Sequence, residues 1–113
     1  MAERMEAKGK FHFMGTHDLE LIADVEWAED GMSGSMTGCG KLKMLKWLTY
    51  DFAPGANARK LENGVIHFEA GLKSQFGNGE LASFLDLNED GSITGHCDIF
   101  KGMKLEFEAV RVI

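Results

Sequence analysis

Residues 86–98 read Asp86-Leu87-Asn88-Glu89-Asp90-Gly91-Ser92-Ile93-Thr94-Gly95-His96-Cys97-Asp98, and the middle of that stretch is a phrase the chain uses twice. Glu89-Asp90-Gly91 runs directly into Ser92-Ile93-Thr94-Gly95, and Glu29-Asp30-Gly31 leads shortly into Gly34-Ser35-Met36-Thr37-Gly38. An Asp-Gly pair accepts the positive φ of a tight hairpin turn, and in each copy it separates an incoming alternating segment from an outgoing one rich in Ser, Thr and Gly. Both copies read as hairpins, and the chain as an antiparallel β meander.

The same stretch carries a competing pattern. Asp86, Asn88 and Asp90 fall at the first, third and fifth positions of a calcium loop, with Gly91 at the sixth and Ile93 at the eighth. The twelfth position is Cys97, where the loop needs a bidentate glutamate, and Thr94-Gly95 is a poor start for the exiting helix. The copy around Asp30 lacks the ligand series but keeps the phrase, so turn chemistry accounts for both. No metal and no other cofactor is expected.

Working outward, Leu19, Leu21, Ala23, Val25 and Trp27 alternate with Glu20, Ile22, Asp24 and Glu26. Successive strand side chains point to opposite faces, so this segment has one apolar face and one mainly acidic face. Ile66, Phe68, Ala70 and Leu72 alternate likewise with His67 and Glu69, and Met103, Leu105, Phe107 and Ala109 with Lys104, Glu106 and Glu108. Turn signals at Asn63-Gly64, Asn78-Gly79 and Lys101-Gly102 recur at the short intervals of a sandwich or barrel. About eight strands are expected.

Several of the fourteen glycines share parity with inward residues: Gly34, Gly38 and Gly40 with Met36 and Leu42, and Gly95 with Ile93 and Cys97. Small inward residues let a sheet bend, and closing the sheet removes its exposed edges. The expected fold is therefore all-β, a closed or nearly closed small barrel, with a β-sandwich as the alternative. Asp90-Gly91-Ser92-Ile93-Thr94-Gly95 resembles hairpins of the calycin superfamily, the lipocalin and avidin barrels. The Gly-x-Trp start of many lipocalin first strands is absent, and no binding residue is carried across.

Residues 41–52 admit two readings. Leu42, Leu45 and Leu48 fit one short helix, which would place Trp47 and Tyr50 at a barrel mouth, while Leu42, Met44, Leu48, Tyr50 and Phe52 fit a strand. Pro54-Gly55 ends either element.

The chain of 113 residues reads as a single β-barrel domain over 1–113, with 1–8 loosely ordered. A formal charge of -6 argues against a nucleic-acid partner, whose phosphates select clustered Lys and Arg. The charged first ten residues lack the apolar core of a signal peptide, and no run approaches the ~20 apolar residues of a membrane span. A cytoplasmic protein with no membrane partner is expected, with Cys39 and Cys97 as free thiols.

Three functional classes follow. One is a barrel binding a small hydrophobic or aromatic molecule, lined by Trp27, Met36, Trp47, Tyr50, Phe68, Leu85 and Phe107, where methionines and aromatic rings suit an irregular apolar cavity. Another is a homodimeric interaction module working through its acidic surface. The third is a small barrel isomerase or cyclase, in which His67 with Glu69, or His96 with Asp98, moves a proton. In each of these pairs, spacing by two puts a carboxylate beside an imidazole on one strand face.

Overall fold

Each alternating run of the sequence is a strand in the computed structural model, which describes residues 2–74, 80–100 and 103–113, with the backbone alone at 99 and 100. Among the described residues there are nine: β1 (Ala2–His12), β2 (Thr16–Trp27), β3 (Ser33–Lys43), β4 (Trp47–Phe52), β5 (Asn57–Lys60), β6 (Ile66–Ser74), β7 (Leu81–Leu87), β8 (Ser92–Phe100) and β9 (Met103–Arg111). All pairings are antiparallel, and each strand lies beside its neighbour in the chain except β4 and β5, which do not pair with each other. Among the described residues there is no helix, and therefore none long and apolar enough to cross a membrane. The turns expected at Asn78-Gly79 and Lys101-Gly102 fall outside the described residues.

The sheet closes into a barrel of eight staves. β1 pairs with β9, from Ala7 opposite Arg111 to His12 opposite Glu106. β4 and β5 share one stave: both lie between β3 and β6, β4 toward one end and β5 toward the other. Pro54-Gly55 interrupts that stave, because proline has no N–H for a ladder and Gly55 takes a φ of 96°. The chain rejoins the sheet through Ala53, whose N–H donates to the Gly71 carbonyl at 2.8 Å, and through Ala56, whose carbonyl accepts from Met36 N–H at 2.9 Å.

Two expectations need correction. Residues 41–52 form no helix: Leu42 stands opposite Leu48 and Lys43 opposite Trp47, so the segment is the end of β3, a turn at 44–46 and the start of β4. Local spacing satisfied both periods, and long-range pairing of β3 with β2 decided between them. Residues 2–8, read as loosely ordered, belong to β1, where Met5 and Ala7 are buried and the whole run pairs with β2. Met5, Ala7 and Phe11 alternate with Arg4, Glu6, Lys8 and Lys10, a strand pattern hidden by its high charge.

The inward side chains fill one core. Leu19, Leu21, Ala23 and Val25 of β2 meet Phe68, Ala70 and Leu72 of β6 and Leu105, Phe107 and Ala109 of β9, while Phe11 and Ile93 are fully enclosed. Burial of each large side chain stabilises the fold by about 1.5–3 kcal/mol. Gly38 has a different part from the one its parity implied. With φ at 141°, a Cβ there would collide with the Ile22 carbonyl oxygen on β2 rather than enter the interior. It lets two backbones approach where the sheet coils.

The turns divide the barrel into two ends. The lower end carries 28–32, 61–65 and 88–91, and the upper end 13–15 and 44–46. The three lower turns share one construction. Gly31, Gly64 and Gly91 have φ of 67°, 84° and 88°. Each donates its N–H back to the residue three before it, at 2.9, 3.1 and 3.0 Å. Asp30, Asn63 and Asp90 each accept, on a side-chain oxygen, the backbone N–H two residues on, at 2.9, 3.2 and 2.9 Å. The calcium-like stretch has this turn geometry: Asp90 accepts from Ser92 N–H and Oγ, and Asp86 lies beside His67 on the outer wall.

Candidate functional site

The upper half of the barrel holds an enclosed cavity of about 20 Å³, bounded by Leu19, Leu42, Tyr50, Leu85, Cys97 and Phe107 among others. It exists because β3 contributes Gly40 at this height and β7 contributes the small Ser83, where the lower half is packed with Met5, Met36, Phe68 and Ile93. A space of that size holds one water-sized probe, far below the ~300 Å³ of an ordinary ligand pocket. Between it and the upper end lie side chains that are only partly buried: Phe13, Leu42, Tyr50, Phe52 and Leu81.

The lining is apolar apart from a few groups whose chemistry is quiet. Ser83 is buried and donates its hydroxyl to the Ala70 carbonyl at 2.7 Å. The Cys97 thiol is pushed up to about 12 by burial and by the nearby Asp98 carboxylate, so it stays protonated and behaves as a small apolar group. Cys39 is a half-buried free thiol on β3, across the barrel from His96 on β8.

The structure sorts the residues expected to bind a ligand by height. Tyr50, Leu85 and Phe107 border the cavity. Met36 and Phe68 are core residues of the lower half. Trp27 is half-buried at the lower end, where its indole N–H donates to Glu3 at 3.0 Å and Lys60 stands 4.8 Å from the ring centre. Trp47 lies outside, against the wall formed by Lys8, Lys10, Asp18 and Glu20. Parity assigned faces correctly but carried no information about height, and so it also missed Leu42, Phe52 and Cys97.

The residues expected to move protons stand on the outer wall. A shallow groove across β6 to β9 and β1 is lined by His12, His67, His96, Phe84, Glu69 and Asp86, with further carboxylates on β9. His67 Nδ1 lies 2.7 Å from Asp86 and Nε2 3.1 Å from Glu69. A carboxylate oxygen at each ring nitrogen favours the protonated ring, in which both nitrogens donate; the Asp86 hydrogen bond raises the His67 pKa, burial opposes it and Glu69 adds to it. When protonated, this imidazole joins β6 to β7 with both nitrogens engaged and has no lone pair for a general base. His96 rests on the Phe84 ring, centroids 5.3 Å apart, with Nε2 3.9 Å from Asp98. His12 reaches Glu108 at 3.3 Å. Among the described residues, no three His, Cys, Asp or Glu side chains converge to hold a metal ion.

No family model, curated protein or solved structure matches the chain. The reading of its site therefore rests on its own residues.

Proposed function

We propose that the barrel binds a small hydrophobic or aromatic molecule in its upper half. The observation that carries this reading is the closed, almost wholly apolar space beneath half-buried side chains at one end. A closed barrel of about eight staves is at the size where the interior either just fills or holds one small ligand. This one fills below and leaves a gap above. Because the gap is small, the ligand takes the room of side chains that swing aside, with Leu42, Tyr50 and Phe52 as the movable wall. The Ser83 and Tyr50 oxygens suit a ligand with one polar group and otherwise apolar surface. The two free thiols fit a reducing, cytoplasmic setting.

The test is a fluorescence titration with anilinonaphthalene sulfonate, followed by displacement with simple aromatic compounds. Saturable binding in the micromolar range is expected. Gly40→Leu should abolish it, since a Cβ at Gly40 meets only the flexible Leu21 side chain, at 3.3 Å, and the added side chain occupies the cavity. Absence of saturable binding by the wild type, or binding undiminished in a folded Gly40→Leu protein, would overturn the proposal.

A further inference from the structure

Among the described residues, the upper turns lack the Asx-Gly construction of the lower end. Met14 is almost fully exposed and sits at a φ of 51°, a left-handed conformation that Asn or Gly adopts at lower cost. The other described upper turn is Met44-Leu45-Lys46, with Leu45 completely exposed and Met44 and Trp47 beside it also exposed. Register puts these groups on one rim: Leu19 of β2 stands opposite Leu42 of β3, so the turns at 13–15 and 44–46 rise to the same height. Met103, exposed at the start of β9, continues the arc, because β9 borders β1. Isolated exposed apolar residues are ordinary, but here exposed apolar tips recur on successive connections of one rim, one of them in a left-handed conformation.

Charge follows the same division. Residues 43–47 and 103–104 hold Lys43, Lys46 and Lys104 and no carboxylate, whereas the lower turns at 28–32, 61–65 and 88–91 hold Glu29, Asp30, Glu62, Glu89 and Asp90 and no Lys or Arg. Among the acidic groups toward this end, Asp98 stands opposite Lys104 in the ladder and lies 3.9 Å from His96, Asp18 is bonded to Lys10, and Glu80, across the rim, lies 3.5 Å from Lys73. Met32, Leu61, Val112 and Ile113 are exposed at the lower end too, where the turns are acidic although Lys60 adjoins Leu61 and donates its N–H to the Met32 carbonyl.

We infer that the upper rim docks on an anionic lipid surface, with Met14, Leu45 and Met103 entering the acyl boundary and Lys43, Lys46 and Lys104 meeting the headgroups. Apolar tips flanked by lysines are the composition of an interfacial anchor, which needs no membrane-spanning segment. A second copy is the poorer occupant. A two-fold contact through this rim would set its lysines against the same lysines. The acidic lower end would then face away from the bilayer, which orients the molecule. Docking does not require the cavity to bind anything, although it brings the cavity end to a source of apolar molecules.

The experiment is co-sedimentation with vesicles of phosphatidylcholine alone and of phosphatidylcholine mixed with phosphatidylglycerol. Binding to the mixed vesicles only, weakened by salt, is expected. Lys46→Glu should reduce partitioning about fivefold or more, from the contribution of one basic residue near an anionic surface. Leu45→Glu should reduce it about tenfold or more by removing an inserted side chain. Glu89→Gln at the lower end should change nothing. Both upper substitutions lie in an exposed turn, and unchanged circular dichroism and dye binding in solution would separate loss of docking from loss of the fold or of the cavity. Failure to bind mixed vesicles, equal binding to both vesicle types, or an effect of Glu89→Gln as large as that of Lys46→Glu would overturn the inference. A concentration-dependent dimer that Leu45→Glu dissolves would overturn it in favour of a second copy.

Discussion

Among the described residues, the turns at the two ends of this barrel are built on different rules. At the lower end, three turns repeat one solution, a glycine with positive φ preceded by an Asp or Asn whose side chain accepts a backbone N–H. Everything there serves the chain's own geometry. At the upper end, Met14 occupies a left-handed position and Leu45 projects fully into solvent, so the residues serve the local geometry poorly. Where local propensity is broken without a gain inside the molecule, the gain lies in what the surface meets. The lower half, with its packed core, is the part that specifies the fold. The upper half, with its gap and its apolar rim, is where the proposed binding and docking would take place.

The largest effect expected from this contrast separates two glycines of β3. Gly38→Ala should destabilise the protein by about 3 kcal/mol or more, because both its φ and the Ile22 carbonyl forbid a side chain. Gly40→Ala, toward the upper end, should cost under about 1 kcal/mol, since only the Leu21 side chain must yield. Urea melts of the two variants measure the difference, and similar costs would erase the division between a constrained lower wall and a tolerant upper one.

The turns should respond with opposite signs. Gly91→Ala forces an alanine to a φ of 88° and should cost about 1–2 kcal/mol. Met14→Asn relieves strain and should stabilise the fold by roughly 0.5–1 kcal/mol while weakening capture by anionic vesicles. Thermal melts read the first quantity and co-sedimentation the second. A destabilised Met14→Asn protein would mean that the methionine packs usefully within its own chain.

The smallest effect concerns pH. The folded state raises the His67 pKa above its ordinary value of 6.5, chiefly through the Asp86 hydrogen bond. Its stabilisation is therefore complete below that ordinary value and is lost as pH rises through the raised one. Comparing wild type with His67→Gln by urea titration, the advantage of the histidine should be under about 1 kcal/mol in mild acid and fade in alkali. An advantage that grows with pH would show the neutral ring to be the favoured form.

The sequence disclosed the meander, the closed barrel and the role of Asp-Gly because each follows from a local period or a dipeptide with one preferred conformation. Residues 41–52 were ambiguous because Leu42, Leu45 and Leu48 keep a helical spacing that only the pairing of β3 with its neighbours overrules. The site was half legible. Alternation revealed that Tyr50, Leu85 and Phe107 face inward, but Met36 and Phe68 have the same signature at another height, and height depends on strand register. For Trp47 the parity signal was present, since it alternates with the inward Leu48 and Tyr50, but the helical reading of 41–52 placed it at the barrel mouth.

The seam between β1 and β9 bears on how the molecule folds. Every other pairing joins strands close in the chain, while residues 7–12 must find 106–111 across almost its whole length. Loop-closure entropy makes that contact the slow one, so the meander should assemble hairpin by hairpin and close last. Until it closes, β1 and β9 are free edges, the form in which sheets aggregate. Their outward faces carry Arg4, Glu6, Lys8 and Lys10 on one side and Lys104, Glu106 and Glu108 on the other. In the register adopted, Lys10 stands opposite Glu108 and His12 opposite Glu106. The charges that keep an unfinished sheet from pairing with a stranger are thus the same ones that favour the correct partner when the ring shuts.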